Sequence, residues 1–339
     1  MKKILIVLIS LFIVVNSFIF SQEKSKQDYW LDAVTEKKLE VKLTKLEDYL
    51  NRYGEKDKNK LPTLYLLLAR TSFNLKKYDK TIEYGEKALT FKENDFHKLE
   101  LFLKLANAYY LREEKDTDKA YHYAGLVVDL AKSMKGDKIE NANSQTKINL
   151  DLAYIRPALI TQIKVLYSTG KNDLKAMQEA LKLAEEAFSI KADKVMAKNI
   201  FMISYMLYKL GDKESAINAL SKITEKVPDQ RFCKLLATWY SKIGKKDKAL
   251  EVLKKSYEKR KSAKLAYNIG ILLKKKNLDE ALNYFAEAYV LNSSPYSEKA
   301  FKIMEFLFYN EKMKGVPQDK QDAAFKELIA AAKSRLNIE

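Results

Sequence analysis

The sequence predicts an all-α chain of stacked helical hairpins: an α-solenoid of about six units with one helix before it and capping helices behind it. Three observations predict this fold class. Only 9 glycines and 5 prolines are spread over 339 residues, far fewer turn formers than a β-rich architecture needs. Apolar residues recur at three- and four-residue steps, the spacing of one buried helix face. Glu214-Ser215-Ala216-Ile217, Asp247-Lys248-Ala249-Leu250 and Asp279-Glu280-Ala281-Leu282 repeat one pattern, with alanines 33 and 32 residues apart. An apolar content of 47% supplies material for a substantial core.

Taken in order, the chain opens with Lys2 and Lys3 before an apolar run of 17 residues, Ile4 to Phe20. A charged start, a short apolar stretch and small Ser21 before Gln22 make residues 1–21 a secretory signal segment. The run falls short of the ~20 residues that span a bilayer, and an uncleaved anchor is the alternative reading. Both readings put the rest of the chain outside the cytoplasm, periplasmic or extracellular, with membrane contact only if the segment stays uncleaved. Cys233 is the sole cysteine, which excludes an intrachain disulfide and a lipid anchor on a cysteine behind the signal.

Residues 22–60 read as an N-terminal helix and a linker. Trp30, Leu31, Val34, Leu39, Leu43, Leu46, Tyr49 and Leu50 form one apolar stripe from Asp28 to Tyr53, Gly54 closes it, and Glu55 to Lys60 is polar. Residues 61–292 carry the hairpins. Their first helices hold a small residue near the middle: Ala69, Ala106, Ser204, Ala237 and Gly270. The second helices hold Ala88, Ala120 with Ala124, and Ala184 with Ala187, followed by the three alanine motifs above. Turns stand between them, two built on Gly211 and Gly244 and one on Asn277. Pro157 falls in the first helix of the third hairpin, where it starts or kinks the helix. The polar stretch Lys135 to Lys147 interrupts the stack before it. Residues 293–339 give two helices, Glu298 to Tyr309 and Gln318 to Leu336, split by Gly315 and Pro317. They suit a cap, since a solenoid has a last apolar face to cover.

These residues resemble the tetratricopeptide repeat, in which a small residue sits in the first helix, a glycine-containing turn follows and alanines fill the second helix. Gly and Ala at those points let two helices approach closely while larger side chains fill the rest. The resemblance covers about two thirds of the chain. It implies a right-handed solenoid with a concave groove lined by first-helix side chains, and a scaffold that binds a protein or peptide. The family's terminal-carboxylate clamp, a Lys and Asn set in adjacent repeats, is not matched, because Asn107 and Lys234 lie three hairpins apart.

The repeat register places fifteen groove positions in the last three hairpins, of which eight are basic and none acidic. Lys198, Tyr205, Tyr208, Arg231, Lys234, Lys242, Lys264, Tyr267 and Lys274 form the candidate ligand-binding set. Ammonium and guanidinium groups beside flat aromatic area suit an acidic, extended protein segment. The matching positions of the first two hairpins, among them Leu66, Arg70, Phe73, Leu103 and Asn107, are mostly apolar or amide. A net charge of +17 supports a second reading, capture of an anionic envelope polymer or membrane surface through basic faces. Nucleic acid is not expected, because the signal segment directs the chain to export and no recognised motif is present.

Catalysis and cofactors are not expected. His97 and His122 stand apart without metal-ligand spacing. No glycine-rich phosphate loop or G-x-S-x-G elbow occurs. Two S-x-x-K tetrads, Ser144 with Lys147 and Ser256 with Lys259, leave a serine-type envelope enzyme as the second alternative. Their companion motifs are absent from the sequence.

Overall fold

The computed structural model describes residues 25–136, 149–227 and 229–338. Every regular element among them is helical, and the chain is an all-α solenoid of helical hairpins. The signal segment and nearly all of the polar stretch after Lys135 lie outside the described residues. Among the described residues no helix is long and apolar enough to cross a membrane. The chain divides into two compact units, residues 1–170 and 171–339.

The first unit holds α1 (Lys26–Thr35), α2 (Leu39–Tyr53), α3 (Leu61–Asn74), α4 (Tyr78–Leu89), α5 (Asp95–Leu111), α6 (Thr117–Gly136) and α7 (Arg156–Thr169). The single helix expected from Asp28 to Tyr53 is thus two helices packed on each other. The break has a local cause. Glu36 turns its carboxylate back to accept the N–H groups of Lys37 and Lys38 at 2.9 and 3.0 Å, which satisfies donors at the start of α2. Lys45 then bridges Asp32 and Glu36 at 2.8 Å each, fastening α2 to α1. Ala33, Leu43, Leu46 and Tyr49 are buried with Leu64, Leu68 and Ala69 in one core. Gly54 is no left-handed cap: its φ of −53° and ψ of −46° continue the right-handed turn.

The second unit holds α8 (Leu174–Ile190), α9 (Lys194–Lys209), α10 (Lys213–Lys226), α11 (Gln230–Lys242), α12 (Lys246–Lys259), α13 (Ala263–Leu273), α14 (Leu278–Val290), α15 (Tyr296–Leu307) and α16 (Gln318–Leu336). Pro157 lies in the first turn of α7 and so starts that helix. Helix α7 packs on α5 and α6, whereas α8 packs on α9. The two helices assigned to the third hairpin therefore belong to different units.

Three hairpins close with one hydrogen-bond pattern. The N–H groups of Lys77, Asp212 and Lys245 donate to the carbonyls of Ser72, Leu207 and Tyr240, five residues back, at 2.9, 3.0 and 2.8 Å. That closure puts one residue in the left-handed region, and Lys76, Gly211 and Gly244 occupy it with φ of 60°, 102° and 80°. The small first-helix residues sit where sequence spacing put them: Ala69, Ala106 and Ser204 are fully buried. At Gly270 an added Cβ would stand 2.7 Å from a ring carbon of Phe285, so α13 and α14 approach too closely for any side chain there.

The end of the array is covered as expected. A π-helical turn, Phe308–Lys312, extends α15, and α16 returns onto α14. Phe325 of α16 meets Phe301, Phe308 and Tyr309 with ring centroids 6.0, 5.1 and 5.3 Å apart. Glu287 of α14, buried, accepts hydrogen bonds from the Tyr257 hydroxyl at 2.7 Å and the Arg335 guanidinium at 2.8 Å.

Candidate binding face

Charge in the second unit is sorted by helix. Helices α9, α11 and α13, the first helices of three successive hairpins, contain no acidic residue. Their partners α10, α12 and α14 carry Glu214, Glu225, Asp247, Glu251, Glu258, Asp279, Glu280 and Glu287. The first helices therefore present positive charge over three helices, Arg231 alone among their cations being paired with a carboxylate among the described residues. In the first unit the corresponding cation is cancelled. The Arg70 guanidinium forms a two-pronged ion pair with Glu100, one prong at 2.6 Å, and Lys104 lies 3.7 Å from the same carboxylate.

The nine sequence-derived residues do not share one pocket. Lys198 is exposed near the start of α9. Tyr205 is 42% exposed and has the Lys209 ammonium 4.7 Å above its ring. Tyr208 is half-buried and lies flat on Trp239, with centroids 4.3 Å apart and planes at 6°, so one of its faces is spent joining α9 to α11. Arg231 is exposed but bound through two nitrogens to Asp229, at 3.1 and 2.8 Å. Those hydrogen bonds hold the Asp229 carboxyl below the usual range and the Arg231 guanidinium above its own, so this charge already has a partner. Lys242 and Lys274 contact no carboxylate among the described residues, the first exposed and the second half-buried at the end of α13.

The structure does bring Lys234, Lys264 and Tyr267 together, and it adds Tyr296 of α15. The two ammonium groups are neighbours, and the proximity of like charge lowers the pKa of Lys234. Lys264 lies with its ammonium beside the Tyr296 phenol, which raises the lysine pKa and lowers that of the phenol. Its ammonium is also 5.1 Å from the Tyr296 ring centroid, and Tyr267 packs against the same ring at 5.8 Å. Two adjacent cations beside a phenol, neither ion-paired with a carboxylate among the described residues, form an anion-seeking spot. Tyr296 sits in a stretch that sequence reading assigned to the cap, and nothing in the repeat pattern pointed to it.

Sequence reasoning also missed a cleft of about 1430 Å³ where α9 and α10 meet α11 and α12. Met202, Phe232, Leu236 and Val252 give it an apolar wall, and Lys198 and Arg231 of the nine residues border it. Its one sequence signal is the presence of Ser221, Thr224 and Ser256 at second-helix positions where larger apolar residues would have filled the gap. Cys233 lies on the wall, buried, and burial pushes its thiol pKa up.

The remaining chemical candidates are accounted for by local contacts. His97 reaches Glu93 at 2.6 Å and Asn94 at 3.3 Å at the start of α5, and His122 lies against the Tyr123 ring at 5.6 Å. No group of metal-ligating side chains is found among the described residues. Ser256 is buried, and no hydrogen bond joins it to Lys259. The other tetrad, at Ser144, lies outside the described residues.

Two family models match the chain. The tetratricopeptide-repeat model matches residues 62–95, and the model of anaphase-promoting complex, cyclosome, subunit 3, matches residues 173–256. The first match falls on the α3–α4 hairpin, whose motif is fainter to the eye than those of the last three. No curated protein matches the chain. Among solved structures, the assembly chaperone of RpL4 is 17% identical over 76% of this chain and 98% of its own, with a TM-score of 0.40. The apo form of RapI is 15% identical over 99% and 93%, also at 0.40. A thermophilic tetratricopeptide-repeat protein of Thermus thermophilus is 16% identical over 63% and 98%, at 0.28. Scores this low say nothing about partners.

Proposed function

We propose that this tetratricopeptide-repeat protein is a scaffold that holds an acidic, extended segment of a partner protein on the first-helix face of its second unit. Repeats of this family generally bind protein partners. The observation that carries the finer reading is the charge sorting: α9, α11 and α13 hold no acidic residue, while the second helices hold the acids. Lys198, Lys234, Lys242, Lys264 and Lys274 supply charge, and Tyr205 and Tyr267 supply flat apolar area. Capture is non-covalent, with no reaction and no cofactor. The chain works outside the cytoplasm, a reading supported by Lys2, Lys3 and the apolar run to Phe20.

Reversal of Lys234, Lys242 and Lys274 to Glu tests the face. Exposed charge contacts contribute about 1 kcal/mol each, so binding of an acidic peptide should fall about a hundredfold. Unchanged affinity refutes the reading. The net charge of +17 favours a second reading, an anionic envelope polymer. A salt series separates the two, because a polyanion held by counterion release is lost steeply with salt.

A further inference from the structure

The cleft where α9 and α10 meet α11 and α12 has features that the charged face alone does not use. A solvent-open cleft of about 1430 Å³ lies against Phe232, Leu236 and Val252. That exceeds the usual size of a small-ligand pocket. Val195 at its border is 60% exposed. The Gln230 side-chain amide nitrogen, also on the wall, is buried without a hydrogen-bond partner, a donor that an incoming acceptor would satisfy. The border is cationic. Lys198, Lys259 and Arg260 form no ion pair among the described residues, while Asp229 is engaged by Arg231 and feels the charge of Lys194, Glu251 is engaged by Lys255, and Glu225 faces the same Lys255. Apolar wall, unmet donor and free cations describe an occupant that is apolar in the middle and anionic at its flanks.

We infer that the cleft seats a bulky apolar side chain of the acidic segment, so that the partner sequence is an acidic run interrupted by one aromatic or long aliphatic residue. This inference rests on the proposed binding of an acidic segment by the first-helix face. Lys198 and Arg231 belong both to that face and to the border of the cleft, so a segment held along the face can drop one side chain between them. The charges set the approach and the flanking contacts, and the cleft sets which acidic sequence is retained.

Two labelled twelve-residue acidic peptides of equal charge, with Phe or Ser at the centre, test it against the full-length protein. The Phe peptide should bind about ten- to a hundredfold more tightly, the scale of burying one aromatic side chain. At saturation it should also slow the reaction of Cys233, the only cysteine, with a small thiol reagent, whereas the Ser peptide should not. Ser221→Trp, which fills the cleft, should abolish the Phe preference and leave Ser-peptide affinity unchanged. Equal affinities with no protection of Cys233 overturn the anchor and leave the face reading intact. Failure of both peptides to bind overturns the face reading, and the anchor with it.

Discussion

Removing the Glu287 carboxylate should loosen the C-terminal closure of the second unit by an amount the contacts set. Glu287 is 7% exposed and accepts from Tyr257, which is 2% exposed, and from Arg335. In Glu287→Ala the Tyr257 hydroxyl is left buried without an acceptor, at a cost of about 1–3 kcal/mol, and a charge-assisted bond to Arg335 worth about 1.5 kcal/mol is lost. Arg335 is 40% exposed and can turn to water, so the sum is about 3 kcal/mol rather than the larger penalty of an abandoned buried charge. For a unit of this size the melting temperature should fall by about 6–12 °C. Glu287→Gln keeps an acceptor for Tyr257 and should cost less than half as much. Denaturant unfolding followed by Trp239 fluorescence measures both variants, and limited proteolysis reports release of α16. A change below about 0.5 kcal/mol in Glu287→Ala would refute the view that this carboxylate fastens α16 to the array.

Three further outcomes are expected. Gly270→Ala puts a methyl 2.7 Å from the Phe285 ring and should cost about 1–3 kcal/mol through forced repacking, read by thermal melting. Lys76→Gly should stabilise the first unit by about 1 kcal/mol, because Lys76 holds φ at 60° where Gly211 and Gly244 serve the equivalent turns; an unchanged denaturation midpoint would contradict the turn equivalence. Glu36 is held near pKa 2, against an ordinary 4.5, chiefly by its hydrogen bond from Lys45. A depressed folded-state pKa gives stability that is present above the unfolded value and lost as pH falls from about 4.5 toward 2. Melting of Glu36→Gln should therefore be less pH-dependent than that of the native protein across this window.

How far the sequence reached follows from what each feature depends on. The alanines and Gly270 were legible because a close helix crossing tolerates few residue types, and their burial follows directly. The break at Glu36 was not, because apolar spacing runs through it and the cause is a carboxylate folding back on two N–H groups. Tyr205, Tyr240 and Tyr267 look alike in sequence, yet they stand at different offsets from Ser204, Ala237 and Gly270. One is exposed, one buried and one half-buried accordingly. The acid-free character of α9, α11 and α13 could be counted residue by residue, but which cations remain free could not. Asp229, at the start of α11, draws in Arg231, whereas Lys234 and Lys264 face each other beside Tyr296. The cleft depends on four helices at once and left only short side chains as a trace.

The most direct measurement of the central claim compares two triple reversals of identical net charge for their effect on acidic-peptide binding, by anisotropy at near-physiological salt. One carries Lys198→Glu, Lys234→Glu and Lys264→Glu on the first helices. The other carries Lys171→Glu, Lys320→Glu and Lys326→Glu, at exposed positions elsewhere in the second unit. Loss of binding in the first variant, with the second within about threefold of the native protein, is the expected result. Equal losses in both would mean that overall charge, and not the face built by α9, α11 and α13, holds the ligand.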